Sequence, residues 1–280
     1  MKKVRKSNGD QLAPVAILGG GNVGRALARG WVEQGRFKAQ QIHITRRHPE
    51  KLSSLADAGF RVTADNRAAI ARARHVIVAV QPQQLRELLT EIAGSLDPAR
   101  HTLISVVSGA SIRQIAELVG DRITVVRAMP NTAISIGESM TCLAAPPEAA
   151  TALARARTLF EAVGTTAQID ESMMEAATAL CACGIAFFLR SVRAASQGGI
   201  EIGFHPEDAL MMAAQTAKGA AGLLLQRGAH PESEIDRVTT PRGCTIAGLN
   251  EMEHQGFSSA MIKGIVTSAD KASKLFVRER

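Results

Sequence analysis

The stretch VAILGGGNVG (15–24) runs a β-branched apolar segment straight into Gly19-Gly20-Gly21-Asn22-Val23-Gly24, a G-x-G-x-x-G turn, and then into an amphipathic stretch over 23–34. Few folds accept that succession. The first glycine permits the tight turn, the second lets backbone approach a pyrophosphate, and the third lets the helix pack on the strand. The helix N-terminus then faces the phosphates. Glycine clusters occur in many turns. With a strand before it and a helix after it, this one reads as a dinucleotide site built on Gly19, Gly21, Asn22, Val23 and Gly24.

The end of the second strand decides which dinucleotide. A site for NAD wants Asp or Glu there for the ribose hydroxyl. This chain has Thr45-Arg46-Arg47 and no acid. Two guanidiniums and a hydroxyl suit a 2′-phosphate, so the expected cofactor is NADP(H); a solvated basic turn is the plain alternative.

The rest of the pattern fills in the fold. Strand candidates fall at 15–20, 41–45, 75–80, 102–107, 123–129 and 140–145, separated by helical segments at 23–34, 49–58, 83–93, 111–119 and 147–163. That alternation predicts a doubly wound parallel sheet covered on both faces, an α/β domain over 14–169 after a basic tail at 1–13. From Glu171 onward the strand signals stop. Helical runs at 171–197, 206–227 and 257–276 predict an all-α domain over 170–280. Its Leu210-Met211-Met212 and Leu223-Leu224-Leu225 runs are too apolar for a monomer's surface, so a homo-oligomer built through this domain is expected.

Composition narrows the partners. Aromatic residues are 3% of 280, with no Tyr and one Trp, which argues against a base-stacking nucleic-acid surface. The net charge of +7 owes much to Lys2, Lys3, Arg5 and Lys6 in the tail, so no polyanion partner is expected. No apolar segment follows those charges, so the tail does not read as a secretory signal. The longest uncharged run in the helical half, Ala176–Leu189, is 14 residues, against roughly 20 for a membrane span. A buried helix in a cytoplasmic protein is expected. Cys142, Cys181, Cys183 and Cys244 are too scattered for a disulfide framework. Cys181 and Cys183, two apart in a helical pattern, point to nearly opposite faces and read as small core residues rather than metal ligands.

One segment, RVTTPRGCTIAGL (237–249), gathers three threonines around a proline and two glycines. A loop broken by Pro and Gly just before a helix aims backbone N–H groups and hydroxyls at one point, which makes a small anion site. The same donors could cap the helix at 245–253.

At Arg-Ala-Met-Pro-Asn-Thr (127–132) the chain resembles the pyrroline-5-carboxylate reductases, which complete proline biosynthesis. The likeness also takes in the glycine loop, TADN with Asn66, Ala79-Val80-Gln81-Pro82, QTAKGAA (215–221) and TTPRGCTIAG. It implies a Rossmann domain followed by a helical dimerisation domain, with an active site between them completed by a partner subunit. It adds Asn66, Ala79, Val80, Gln81 and Pro82 to the cofactor contacts, with Val107 and Glu171 as lesser candidates. It assigns the carboxylate of a cyclic imine to Thr240, Gly243, Cys244 and Thr245, with Thr245 able to order the proton near the nitrogen.

The chain departs from the family pattern at Gln81, where Lys is usual, at Cys181 to Ile185, where Ser-Gly-Ser-Gly-Pro is usual, and at Arg242, where Gly is usual. A reductase of a different cyclic imine, or an inactive NADP(H)-binding regulator, fits the same residues. A β-hydroxyacid dehydrogenase does not, because its lysine is missing between 171 and 197.

Overall fold

The computed structural model describes residues 13–275. The basic residues Lys2, Lys3, Arg5 and Lys6 lie outside them. The described chain gathers into two compact units. One holds the chain up to Ala182 with the segment from Ala269 onward, and the other is Cys183–Ser268.

The first unit is built on an eight-stranded sheet. Its strands are β1 (Val15–Leu18), β2 (Ile42–Thr45), β3 (Arg61–Thr63), β4 (His75–Val78), β5 (Thr102–Ser105), β6 (Thr124–Met129), β7 (Ser139–Ala144) and β8 (Gly164–Gln168), in the order β3-β2-β1-β4-β5-β6-β7-β8. Every pairing is parallel except β6 with β7. The first six strands thus follow the Rossmann order, with the chain reversing direction across the sheet between β1 and β4.

Both faces are covered, which is why β1 and β4 are buried along their whole length. On one face α1 (Asn22–Glu33), α2 (Ser53–Asp57) and α6 (Ala150–Phe160) set Leu27, Trp31, Leu55 and Phe160 against Ile17, Ile44 and Ile77. On the other, α3 (Asn66–Ala71), α4 (Pro82–Ile92) and α5 (Ile112–Val119) set Ile70, Leu85 and Ile115 against Leu18, Val76 and Leu103. Successive strand residues alternate between the two cores, as the period-2 pleat requires. Strands end at Gln168, and a short helix, α7 (Met174–Ala177), leads into a π-helical turn at Thr178–Cys183.

The second unit is helical: α8 (Gly184–Glu201), α9 (Pro206–Arg227), α10 (Pro231–Val238), α11 (Cys244–His254) and α12 (Phe257–Ser273), the last of which runs on beyond Ser268. Gly203, with φ +109°, turns the chain, and Pro206 opens α9. The two helices meet through small residues. A Cβ on Gly199 would come within 3.1 Å of the Ala209 Cβ, and Ser196 and Ala209 are both buried.

One expectation changes here. Glu171–Glu201 is a single helical run of 31 residues, long and apolar enough by length and composition to cross a membrane, and only 28% of its most apolar window is buried. The charges that bound Ala176–Leu189 do not end the helix, and Phe188 and Leu189 stand exposed on it. It is not the buried helix that the sequence predicts for a single chain.

Candidate functional site

The carboxyl ends of β1, β2 and β4 open into a groove of about 580 Å³, within the roughly 300–1,000 Å³ of small-molecule and cofactor sites. It lies where the strand order reverses, the expected crevice in an open α/β sheet. The glycine loop forms one wall and is latched to β2, since both Gly19 and Gly20 donate backbone N–H to the Thr45 carbonyl.

Each glycine has a distinct reason to be one. At Gly19 φ is +117° and a Cβ would lie 2.4 Å from the Ala79 carbonyl oxygen. At Gly24 a Cβ would lie 2.1 Å from the Gly19 carbonyl oxygen, so the first turn of α1 sits directly on the loop. Around Gly21 the space where a Cβ would point is empty to 4 Å, and no side chain caps the N-terminus of α1. Open N–H groups above an open cradle are what a pyrophosphate needs. The residues fit a dinucleotide.

Of the expected cofactor residues, the groove brings together Gly19, Gly21, Thr45, Arg46, Arg47, Asn66, Ala79, Val80 and Gln81. Asn22, Val23, Gly24 and Pro82 flank it on the first turns of α1 and α4. Val107 does not reach it; the side chain is buried in the core beneath α4 and α5. Glu171 also lies elsewhere. Its carboxylate accepts the Ile112 N–H at the start of α5 and sits 3.5 Å from the Arg127 guanidinium.

Arg127, 2% exposed, also faces Glu175 at 3.5 Å, a buried cation held by two acids that the sequence pattern does not reveal. The groove further includes Gln84, Leu88 and Glu91, which extend one face of α4 at helical spacing from Gln81. That periodicity was the signal for them.

The three groups expected at the 2′-phosphate are not equivalent. The Thr45 hydroxyl is buried and donates to Asn66 Oδ1 at 2.6 Å, while Asn66 donates its amide to the Glu91 carboxylate. It orders the floor rather than offering a free donor. Arg46 donates to the Gly20 carbonyl at 3.0 Å and braces the loop. Arg47 is exposed, paired with exposed Glu87 at 3.5 Å, and free to exchange that partner for a phosphate.

The expected substrate residues all fall in the second unit. Thr240-Pro241-Arg242-Gly243 is a tight turn closed by Gly243 N–H to the Thr240 carbonyl at 2.9 Å. Proline occupies its second position, and its third, Arg242, has φ +59°, the one left-handed non-glycine among the described residues. A turn of this kind wants glycine there. Arginine carries a cost of about 1 kcal/mol or more to bring its charge to this point.

Gly243 has no such choice, since a Cβ would lie 2.4 Å from Thr240 Oγ1. Gly243 is the N-cap of α11 and no side chain caps that helix; the Thr239 hydroxyl donates backward to the Ile235 carbonyl instead. The threonines therefore do not cap α11 as the alternative reading has it. Cys244 is exposed and Thr245 half-buried on the helix's first turn, beside N–H groups left open to an anion.

Residues 171–275 match the family model for pyrroline-5-carboxylate reductase dimerisation, and residues 14–109 match the one described as NADP oxidoreductase, coenzyme F420-dependent. The chain is 50% identical over 276 residues to pyrroline-5-carboxylate reductase 2 of Dictyostelium discoideum, covering 93% of this chain and 92% of that relative. The chain belongs to the pyrroline-5-carboxylate reductase family.

A second relative in that family, pyrroline-5-carboxylate reductase 1 of the same organism, is 52% identical over 278 residues. The chain spans half of that relative's length, with 95% of itself aligned. The fold agrees with solved members. A pyrroline-5-carboxylate reductase from Coxiella burnetii superposes with a TM-score of 0.86 at 26% identity, covering 96% of this chain and 100% of that one. The Plasmodium falciparum enzyme, with NADP bound, gives 0.88 at 22% identity and the same coverage.

Proposed function

We propose that this chain reduces the C=N bond of 1-pyrroline-5-carboxylate, giving L-proline at the expense of NADPH. Membership of the family along nearly the whole chain carries this reading. The groove supports it, with its uncapped α1 N-terminus, its empty cradle at Gly21 and a guanidinium at Arg47 ready to take a phosphate.

When bound, the nicotinamide supplies the hydride. The chain's own work is positioning. The glycine loop and α1 hold the pyrophosphate, Arg47 reads the 2′-phosphate, and the Thr45–Asn66–Glu91 chain of hydrogen bonds keeps the floor of the groove in one arrangement. At the other end of the sequence the uncapped N-terminus of α11, with Thr240 and Thr245, takes the substrate carboxylate. A protonated imine already accepts electrons readily, so no histidine or lysine is required as general acid; Thr245 orders the proton beside the nitrogen.

The reductase works in the cytoplasm as a homo-oligomer. Phe188, Leu189, Met211, Met212 and Leu225 stand exposed on α8 and α9, more apolar surface than a monomer leaves in water. A second copy of the chain covers it. An active monomer in light scattering at assay concentration would remove that part of the proposal.

The test of the chemistry is NADPH oxidation with pyrroline-5-carboxylate, run on the native chain and on Thr245→Val. The native chain should turn over. The variant, which keeps shape and loses one donor, should lose about 1–3 kcal/mol of transition-state stabilisation, roughly ten- to a hundred-fold in kcat/KM. NADPH affinity should stay the same. Oxidation only with another cyclic imine would reassign the substrate, and cofactor binding without turnover on any imine would make the protein a regulator.

A further inference from the structure

We propose that Cys142 and Cys181 close into a reversible disulfide when the protein meets a hydroperoxide, and that closing it slows the reductase. The two sulfurs lie 3.9 Å apart although 39 positions separate them in sequence. A disulfide needs about 2.05 Å, so closing it asks for a movement of roughly 2 Å.

The movement is available on one side. Cys142 is fixed on β7, buried and paired with Met129 of β6. Cys181 sits in the π-helical turn Thr178–Cys183, half-buried, where one extra residue per turn already loosens the backbone ladder. The Thr178 hydroxyl at the start of that turn donates back to the Met174 carbonyl of α7.

The pair is polarised for the reaction. The contact with Cys181 and burial push the Cys142 thiol up. The same contact draws the Cys181 thiol down, to about 7, the direction that favours a reactive thiolate.

The half-exposed Cys181 thiolate attacks one peroxide oxygen. The O–O bond breaks, leaving a Cys181 sulfenic acid and, for hydrogen peroxide, a hydroxide that takes up a proton. The Cys142 sulfur then attacks the Cys181 sulfur, the S–O bond breaks, and a second water leaves with the Cys142 proton. Two thiols have lost two electrons and the peroxide has gained them. A dithiol reverses the bond by exchange.

Turnover is affected because of what the turn holds. The Cys181 carbonyl accepts the side-chain amide of Asn131 at 3.2 Å, and Asn131 follows the carboxyl end of β6, the edge at which open α/β sheets bind their ligands. Drawing Cys181 onto β7 pulls that contact with it. Cys183 and the exposed Cys244 both belong to the other unit.

Reduced protein is treated with hydrogen peroxide, its remaining thiols are blocked, and it is digested without reductant for mass spectrometry. A peptide linking Cys142 to Cys181 is expected, with turnover falling in step with its yield and returning on adding dithiothreitol. Cys142→Ala and Cys181→Ala should each resist peroxide. The proposal is overturned if the linked peptide is absent, if Cys181 passes instead to sulfinic acid, or if either variant loses turnover as fast as the native chain. The peptide map reads the bond itself, whatever imine the enzyme reduces, so its failure is distinct from failure of the assigned substrate.

Discussion

Trp31→Ala is expected to cost about 4 kcal/mol, inside the 3–5 kcal/mol range of large aromatic truncations. The apparent melting temperature should fall by roughly 8–16 °C for a chain of this size. Trp31 is the only tryptophan in the sequence and is fully buried on α1, 5.5 Å from the ring of Phe37 and 6.3 Å from that of Phe160. Its indole N–H donates to the Leu159 carbonyl at 2.8 Å, tying α1 to α6 across 128 positions of sequence. Alanine opens a cavity and strands that carbonyl at once. Trp31→Phe separates the two costs, since it fills most of the space and loses only the donor, about 1–3 kcal/mol. Calorimetry is the measurement of choice, because the substitution removes the only indole. Equal melting temperatures for the native chain and Trp31→Ala would show that α1 and α6 do not depend on each other.

Arg47→Ala should raise the Michaelis constant for NADPH by roughly 10- to 150-fold, the equivalent of about 1.5–3 kcal/mol for a hydrogen bond to a charged group. The constant for NADH should hardly change. Arg46→Ala should behave differently, weakening both cofactors, because the Arg46 guanidinium braces the Gly20 carbonyl. Glu87→Gln should shift NADPH the opposite way from Arg47→Ala, since it releases Arg47 from its pair. Initial rates with both cofactors on the three variants decide the matter. A native preference for NADH, or equal losses on both cofactors for Arg47→Ala, would remove Arg47 from the 2′-phosphate.

The cofactor half was legible because its signals are local. A glycine loop between strand and helix, and a strand end without an acid, each fit in a few consecutive residues. Three of the missed elements are weak ones. β3 has three residues, and β8 reads Gly-Thr-Thr-Ala-Gln with no apolar run to announce it. α3, of six residues, is too short to show a period, though its cap at Asp65 is ordinary.

Long-range pairing stayed hidden for a different reason. The bracing of Arg46, the use of Thr45 by Asn66, and the seat of Arg127 between Glu171 and Glu175 join residues that only the closed sheet makes neighbours. The Arg242 departure was visible, but its cost in backbone strain was not, because φ cannot be read from an arginine.

The two ends of the sheet carry a consequence for how copies of the protein meet. An unpaired strand offers its backbone to any other strand, and long apolar edges join sheets from different molecules. Here one border is the three-residue β3, opening on exposed Arg61, and the other is β8, whose Thr165 and Gln168 face solvent. Both are blunt. Strand-to-strand growth, the usual road from a concentrated α/β protein to insoluble fibres, has little to start from at either border.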